Sequence, residues 1–197
     1  MTPLLAEIVA ERPDRVAVVD PAGATTWAEL DRRVQGWIGG LRSLGLDEGD
    51  TVAAMLGNQV ELVELSLACL QGGWLLVPVN WHWVADEVRY VLDDAGAAAV
   101  VVDTRWVDVV RDAVAAAGVA PAVVVVGVEP AEGELDAAAL VGTHLDGPLE
   151  QPSRGGPMFY TSGTTGRPKG VRGSLAQLGG PPEIWQLMAH SIRPVVE

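Results

Sequence analysis

Apolar positions along this chain alternate between two periods, which predicts helices separating short buried strands. Leu4, Leu5, Ile8 and Val9 recur at helical spacing before Pro13 ends the segment. Val16 to Val19 then reads as a strand. Thr26-Trp-Ala-Glu29 has capping-box spacing, and Trp27, Leu30, Val34, Ile38, Leu41 and Leu44 follow as one apolar stripe up to Gly45. Val52 to Leu56 is a buried strand. Asn58-Gln-Val-Glu61 opens the next helix, whose Val63, Leu67 and Leu70 are expected to face inward until Gly72 and Gly73 stop it.

The alternation continues with a strand at Trp74 to Val79. A helix follows from Asp86-Glu87 with Val88, Val91, Leu92 and Ala95 on one side, its acids complementing the N-terminal dipole. Ala98 to Val102 is strand, Trp106 to Ala116 helix and Val123 to Val126 strand. Continuous valine runs separated by helices are what a mainly parallel sheet covered on both faces requires, so the fold class is α/β. Glu129 to Arg154, with six acids, Pro130, Pro148 and Pro152, reads as an irregular connection with one helical turn near Leu135 to Leu140. Met158 to Tyr160 is a short strand and Val171 leaves the loop behind it. Weaker helical patterns begin at Ser174 and Ile184.

An apolar fraction of 49% in 197 residues is enough for a real core. The net charge of −13 argues against a nucleic-acid partner. Its distribution is uneven. Residues 1–150 hold 8 basic and 24 acidic side chains, residues 151–197 hold 5 and 2. No acid interrupts Gln151 to Pro182, so Arg154, Arg167, Lys169 and Arg172 set up a local positive field. The single Cys69, in an apolar helical setting, reads as a buried inert thiol. Histidines 82, 144 and 190 are scattered, so no metal site can be read. His144 and His190 are expected to be solvated, and Asp93, Asp94 and Asp103 to serve as solvated element ends. The longest uncharged run, 16 residues from Ala113 to Val128, is too short to span a bilayer, and a cytoplasmic location is the expectation.

The densest chemistry lies in Met158-Phe-Tyr-Thr-Ser-Gly-Thr-Thr-Gly-Arg-Pro-Lys-Gly-Val171. Gly163, Gly166 and Gly170 bring bare backbone N–H groups within reach of a ligand, and Thr161, Ser162, Thr164 and Thr165 add hydroxyls. Pro168 stiffens the approach to Lys169, the one lysine in the chain. A compact ammonium on a flexible stem suits an anion whose charge changes during a reaction. Walker A fails because Pro168 stands where Gly is needed, and the dinucleotide fingerprint fails because no two glycines lie two positions apart. These residues alone say "anion"; a Gly/Ser/Thr-rich surface linker accounts for their composition but not for the rigid Pro168-Lys169 ending.

Thr161 to Gly170 resembles, without a gap, the signature loop of the adenylate-forming superfamily of acyl-CoA synthetases, aryl-acid ligases and peptide-synthetase adenylation domains. Softer likenesses lie upstream at Thr26 to Leu30, Gly49 to Val52 and Val77-Pro-Val-Asn80, and Trp81-His82 is similar to the fatty acyl-CoA ligase branch. The resemblance implies that Thr161, Ser162, Gly163, Thr164, Thr165 and Gly166, with Lys169, hold the β- and γ-phosphates of ATP. It implies Mg²⁺ and coenzyme A as further cofactors and a carboxylic, fatty acid as substrate. It also implies an α/β subdomain over residues 1–153 and the start of a second over 154–197. His82 is a candidate lining of an acyl or pantetheine channel, with a packed loop histidine as the alternative.

The superfamily's adenine-stacking aromatic, Tyr-Gly-x-Thr-Glu segment, ribose aspartate and C-terminal lysine have no match here. A truncated member is therefore expected, with no complete catalytic set, inactive alone and prone to self-association through an incomplete sheet. A non-catalytic phosphate-binding module and a scaffold with a purely structural loop are the competing expectations.

Overall fold

The computed structural model describes residues 5–145, 155–161 and 168–172. Helix α1, Ala6–Glu11, leads into a hairpin of β1, Val16–Asp20, and β2, Gly23–Thr26, which pair antiparallel as a sheet of their own. The second of these strands escapes the hydrophobic pattern because Gly-Ala-Thr-Thr carries no apolar alternation. Its turn is made by Asp20, whose Oδ1 accepts from the backbone N–H groups of Ala22 and Gly23. Helix α2, Trp27–Ser43, starts at the expected capping box. Glu29 Oε2 accepts from the Thr26 N–H at 2.8 Å while the Thr26 hydroxyl accepts from the Glu29 N–H at 3.3 Å.

The main sheet holds β3 (Thr51–Met55), β4 (Leu75–Pro78), β5 (Ala97–Asp103), β6 (Ala122–Val126), β7 (Leu135–Asp136), β8 (Gly156–Thr161) and β9 (Lys169–Arg172). Their order is β7-β6-β5-β3-β4-β8-β9, and every neighbouring pair is parallel except β8-β9. Between them run α3 (Val60–Gly72), α4 (Ala85–Ala95), α5 (Val107–Ala116) and α6 (Ala137–His144). The strand period splits the core in two. Val52, Ala54 and Val101 pack towards α2, α3 and α6, whereas Ala53, Met55 and Val102 pack towards α4 and α5. Both faces are covered, as the valine runs require.

Three expectations need correction. In α3 the buried face is Leu65, Ala68 and Cys69, and Val63 is exposed. The helix begins at Val60, and packing against the sheet selects the stripe of Leu65, Ala68 and Cys69 over the neighbouring one of Val63, Leu67 and Leu70. The connection after Glu129 is also more ordered than its acids and prolines imply. It supplies the edge strand β7 and the helix α6, which starts where Asp136 Oδ1 accepts from the Ala139 N–H. The partner of α6 is written elsewhere in the chain. Gly36 and Gly40 on α2 have no side chain, and a Cβ on either would lie 2.7 Å from Val141 or Leu140 of α6. The absent side chains let the helices approach closely, and His144 packs over Gly39 with its Nδ1 2.8 Å from the Leu140 carbonyl oxygen. His144 is thus half-buried and partnered, not solvated.

Candidate functional site

β8 and β9 form the hairpin that carries the candidate loop. Their register pairs Met158 with Arg172, Phe159 with Val171, Tyr160 with Gly170 and Thr161 with Lys169. Directly opposite residues share a face, so the hairpin has two unlike sides. Thr161 and Lys169 stand on the outward side with Phe159 and Val171, and all four are exposed. Met158, 6% exposed, and Tyr160 stand on the inward side, packed with the core beneath α4 and α5. Gly170 belongs there for a steric reason: a Cβ on it would press on the Tyr160 ring and the Met158 methyl. Ser162, Gly163, Thr164, Thr165 and Gly166 lie outside the described residues, as do His190 and the helical patterns from Ser174 and Ile184.

Parallel pairing of β8 with β4 puts Thr161 at the carboxyl edge of the sheet, where ligands bind in open α/β folds. The same edge carries features the sequence did not single out. Arg105 grips Asp103 with Nε donating to Oδ1 at 2.8 Å and Nη2 to Oδ2 at 3.0 Å, donates to Gln59 Oε1 at 3.1 Å and lies over the Trp106 ring. Asp103 is 6% exposed, so it is no solvated strand end. Burial opposes ionisation of its carboxyl, but the bonds from Arg105 outweigh that and hold its pKa below the usual carboxylate range. His82 is at this edge too, exposed and stacked on Trp81 at 3.6 Å between ring centroids. A packed loop histidine is therefore not what the structure shows.

Beyond the sheet edge, α2, α3, the β1–β2 hairpin and α6 enclose an open cleft of about 730 Å³. Inside it Glu64, 1% exposed, accepts from Trp37 Nε1 at 3.0 Å and lies 2.9 Å from Arg33 Nε. Burial pushes the Glu64 carboxyl pKa upward, with Arg33 and Trp37 opposing. Asp20 ties the hairpin to this cleft by accepting from the Val60 N–H, and that bond keeps its own carboxyl pKa low. Cys69 is buried, and its thiol pKa is pushed far up by desolvation, which makes it a poor nucleophile. Among the described residues no group of three or more His, Cys, Asp or Glu could hold a metal, and no helix is long and apolar enough to cross a membrane.

The described structure is a mainly parallel α/β sheet with a hairpin at its carboxyl edge that pairs Thr161 with Lys169, and comparison with known proteins gives the family. The family model "AMP-binding enzyme" matches residues 5–192, and the chain belongs to that family. It is 37% identical over 159 residues to a feruloyl-CoA synthase of Amycolatopsis sp and 30% identical over 170 residues to a 3-oxocholest-4-en-26-oate–CoA ligase of Rhodococcus rhodochrous. Each match takes in 81% of this chain, and the chain spans 30% of each relative's length. Among solved structures, a putative long-chain-fatty-acid CoA ligase from Rhodopseudomonas palustris CGA009 superposes with a TM-score of 0.77 at 27% identity, over 95% of this chain and 45% of the other. The N-terminal domain of FACL13 from Mycobacterium tuberculosis gives 0.72 at 28% identity, over 87% of this chain and 43% of the other.

Proposed function

We propose that this chain contributes the ATP phosphate-binding hairpin of an acid–thiol ligase, with Thr161, Ser162, Gly163, Thr164, Thr165, Gly166 and Lys169 around the β- and γ-phosphates. The observation that carries the reading is the Thr161–Lys169 pair, a hydroxyl and an ammonium side by side, exposed, at the carboxyl edge of a parallel sheet. That arrangement fits a polyanion. In the proposed reaction a carboxylate oxygen attacks the α-phosphorus of ATP, the α–β bridging P–O bond breaks, and pyrophosphate leaves as the acyl-adenylate forms. Coenzyme A thiol then displaces AMP to give the thioester. Lys169 and the loop offset the charge that gathers on the departing pyrophosphate. Mg²⁺ would add to this neutralisation when bound with the nucleotide; the described residues supply no cage for it.

The acid is read as a fatty carboxylic acid, from Trp81-His82 and from likeness to ligases of fatty and steroid acids. The 37% identity to a feruloyl-CoA synthase favours an aryl acid as the second reading. His82, exposed beside Trp81, is proposed to line the acyl or pantetheine path. The division into subdomains near residue 154 and a cytoplasmic location are part of the same proposal. The test is calorimetric titration of the chain with Mg-ATP. Lys169→Ala should weaken binding about 10- to 100-fold, the loss of one charge-assisted hydrogen bond. Equal affinity in wild type and variant would refute the assignment.

A further inference from the structure

We propose that α4 is the positioning element of the phosphate-binding hairpin: Tyr90 and Asp94 tie down the two flanks of its loop from one helical face and so fix where the paired Thr161 and Lys169 stand at the sheet's carboxyl edge. The inference rests on the phosphate-binding reading above and adds to it two residues outside the loop.

Tyr90 and Asp94 are four residues apart on α4 and therefore lie on the same side of the helix. Each reaches a different flank of the loop. The Tyr90 hydroxyl donates to the Pro168 carbonyl oxygen at 2.9 Å, immediately before Lys169. On the other strand the Tyr160 hydroxyl donates to Asp94 Oδ2 at 2.7 Å, immediately before Thr161. Gly170, the cross-strand partner of Tyr160, leaves the room in which that ring lies across the hairpin.

The helix itself is firmly seated. Val88, Val91 and Leu92 are at most 1% exposed against the sheet, and Glu87 Oε2 accepts from the Val84 N–H at the helix start. Both flanks are thus referred to one rigid body. Ligand affinity depends on how much ordering remains to be done at binding, so a loop whose ends are already fixed loses less entropy when it clasps phosphate. Tyr90 and Asp94 touch neither substrate nor reacting atoms in this scheme; they act through Pro168 and Tyr160.

The test uses the 197-residue chain with two readouts: hydrogen–deuterium exchange of the peptide spanning 158–172, and calorimetric titration with inorganic pyrophosphate and Mg²⁺. Tyr90→Phe and Asp94→Ala should each speed exchange in that peptide about two- to tenfold, the loss of one hydrogen bond, and weaken pyrophosphate binding by a similar factor. The thermal midpoint of the domain should stay close to wild type in both. Asp94→Asn retains an acceptor oxygen and should recover most of the wild-type behaviour, which general damage to α4 would not allow. Unchanged exchange in Tyr90→Phe and Asp94→Ala would overturn the proposal. If exchange responds as expected but wild type takes up no pyrophosphate, anchoring by α4 is upheld and the phosphate-binding reading falls.

Discussion

Alanine at Gly36 and at Gly142 makes a matched pair that tests the docking of α6 on α2. A Cβ at Gly36 would sit 2.7 Å from the Val141 carbonyl oxygen and 2.8 Å from Val141 Cγ1, so α6 as a whole must shift to admit it. Alanine gains about 0.8–1.0 kcal/mol over glycine in a helix interior. Overpacking a tight contact costs about 1–3 kcal/mol, more where the obstacle is backbone that cannot rotate away. Gly36→Ala should therefore be destabilising by about 0–2 kcal/mol. At Gly142, on α6, nothing lies within 4 Å of the added carbon, so Gly142→Ala should keep the whole propensity gain. The two variants should differ by about 1–3 kcal/mol, with roughly 2–4 °C of melting temperature for each kcal/mol in a chain of this size. Urea denaturation followed by far-UV circular dichroism measures the difference, provided the slope with denaturant is unchanged. If Gly36→Ala proves as stable as Gly142→Ala, the close approach of α6 to α2 is wrong.

Glu64→Gln removes a buried carboxyl whose folded-state pKa is raised above 4.5 by desolvation. A raised carboxyl stabilises the fold below its unfolded pKa and loses that contribution as pH rises through the folded value, so the variant should gain on wild type from about pH 4.5 upward. Urea midpoints for both proteins at three pH values decide it; a gap that does not change with pH refutes the shift. Phe159 and Val171, 52% and 53% exposed and directly opposite on β8–β9, form an apolar pair open to a second molecule. Phe159→Ser with Val171→Thr should move a self-associated population towards monomer in sedimentation velocity; wild type that stays monomeric at its highest soluble concentration would exclude this route.

The legibility of the fold followed the physics of each segment. α2 was readable in full because its cap and stripe are local: Thr26 and Glu29 satisfy one another, and the apolar spacing runs unbroken from Trp27 to Leu41. β3, β5 and β6 were readable because burial on both faces demands uninterrupted apolar residues. β2 and β7 were not, since a four-residue Gly-Ala-Thr-Thr and a two-residue Leu-Asp hold their shape through pairing with β1 and β6 and carry little pattern of their own. The approach of α6 was hidden for a related reason. Its signal is an absence, three glycines on a distant helix. At the site, the loop announced itself by composition and spacing, whereas Arg105 with Asp103, and Tyr90 with Pro168, are joined by tertiary contact and have no signature along the chain. His82 illustrates the limit of motif reading, because its neighbours in sequence allowed either a channel lining or a packed residue, and only the fold, which leaves it exposed, removes the second.

The strand order has a consequence for how such a protein is made. The chain builds its sheet outward from β3, reaches the far edge at β7, and only then returns across about five strand spacings, roughly 24 Å, to lay β8 beside β4. On the ribosome, every strand that supports the hairpin except its own partner β9 is synthesised before Gly156 appears. The segment bearing Thr161 and Lys169 is therefore a late arrival at a sheet whose other strands are already made. A chain released before Gly156 would carry β3 to β7 but leave β4 as an unpaired edge.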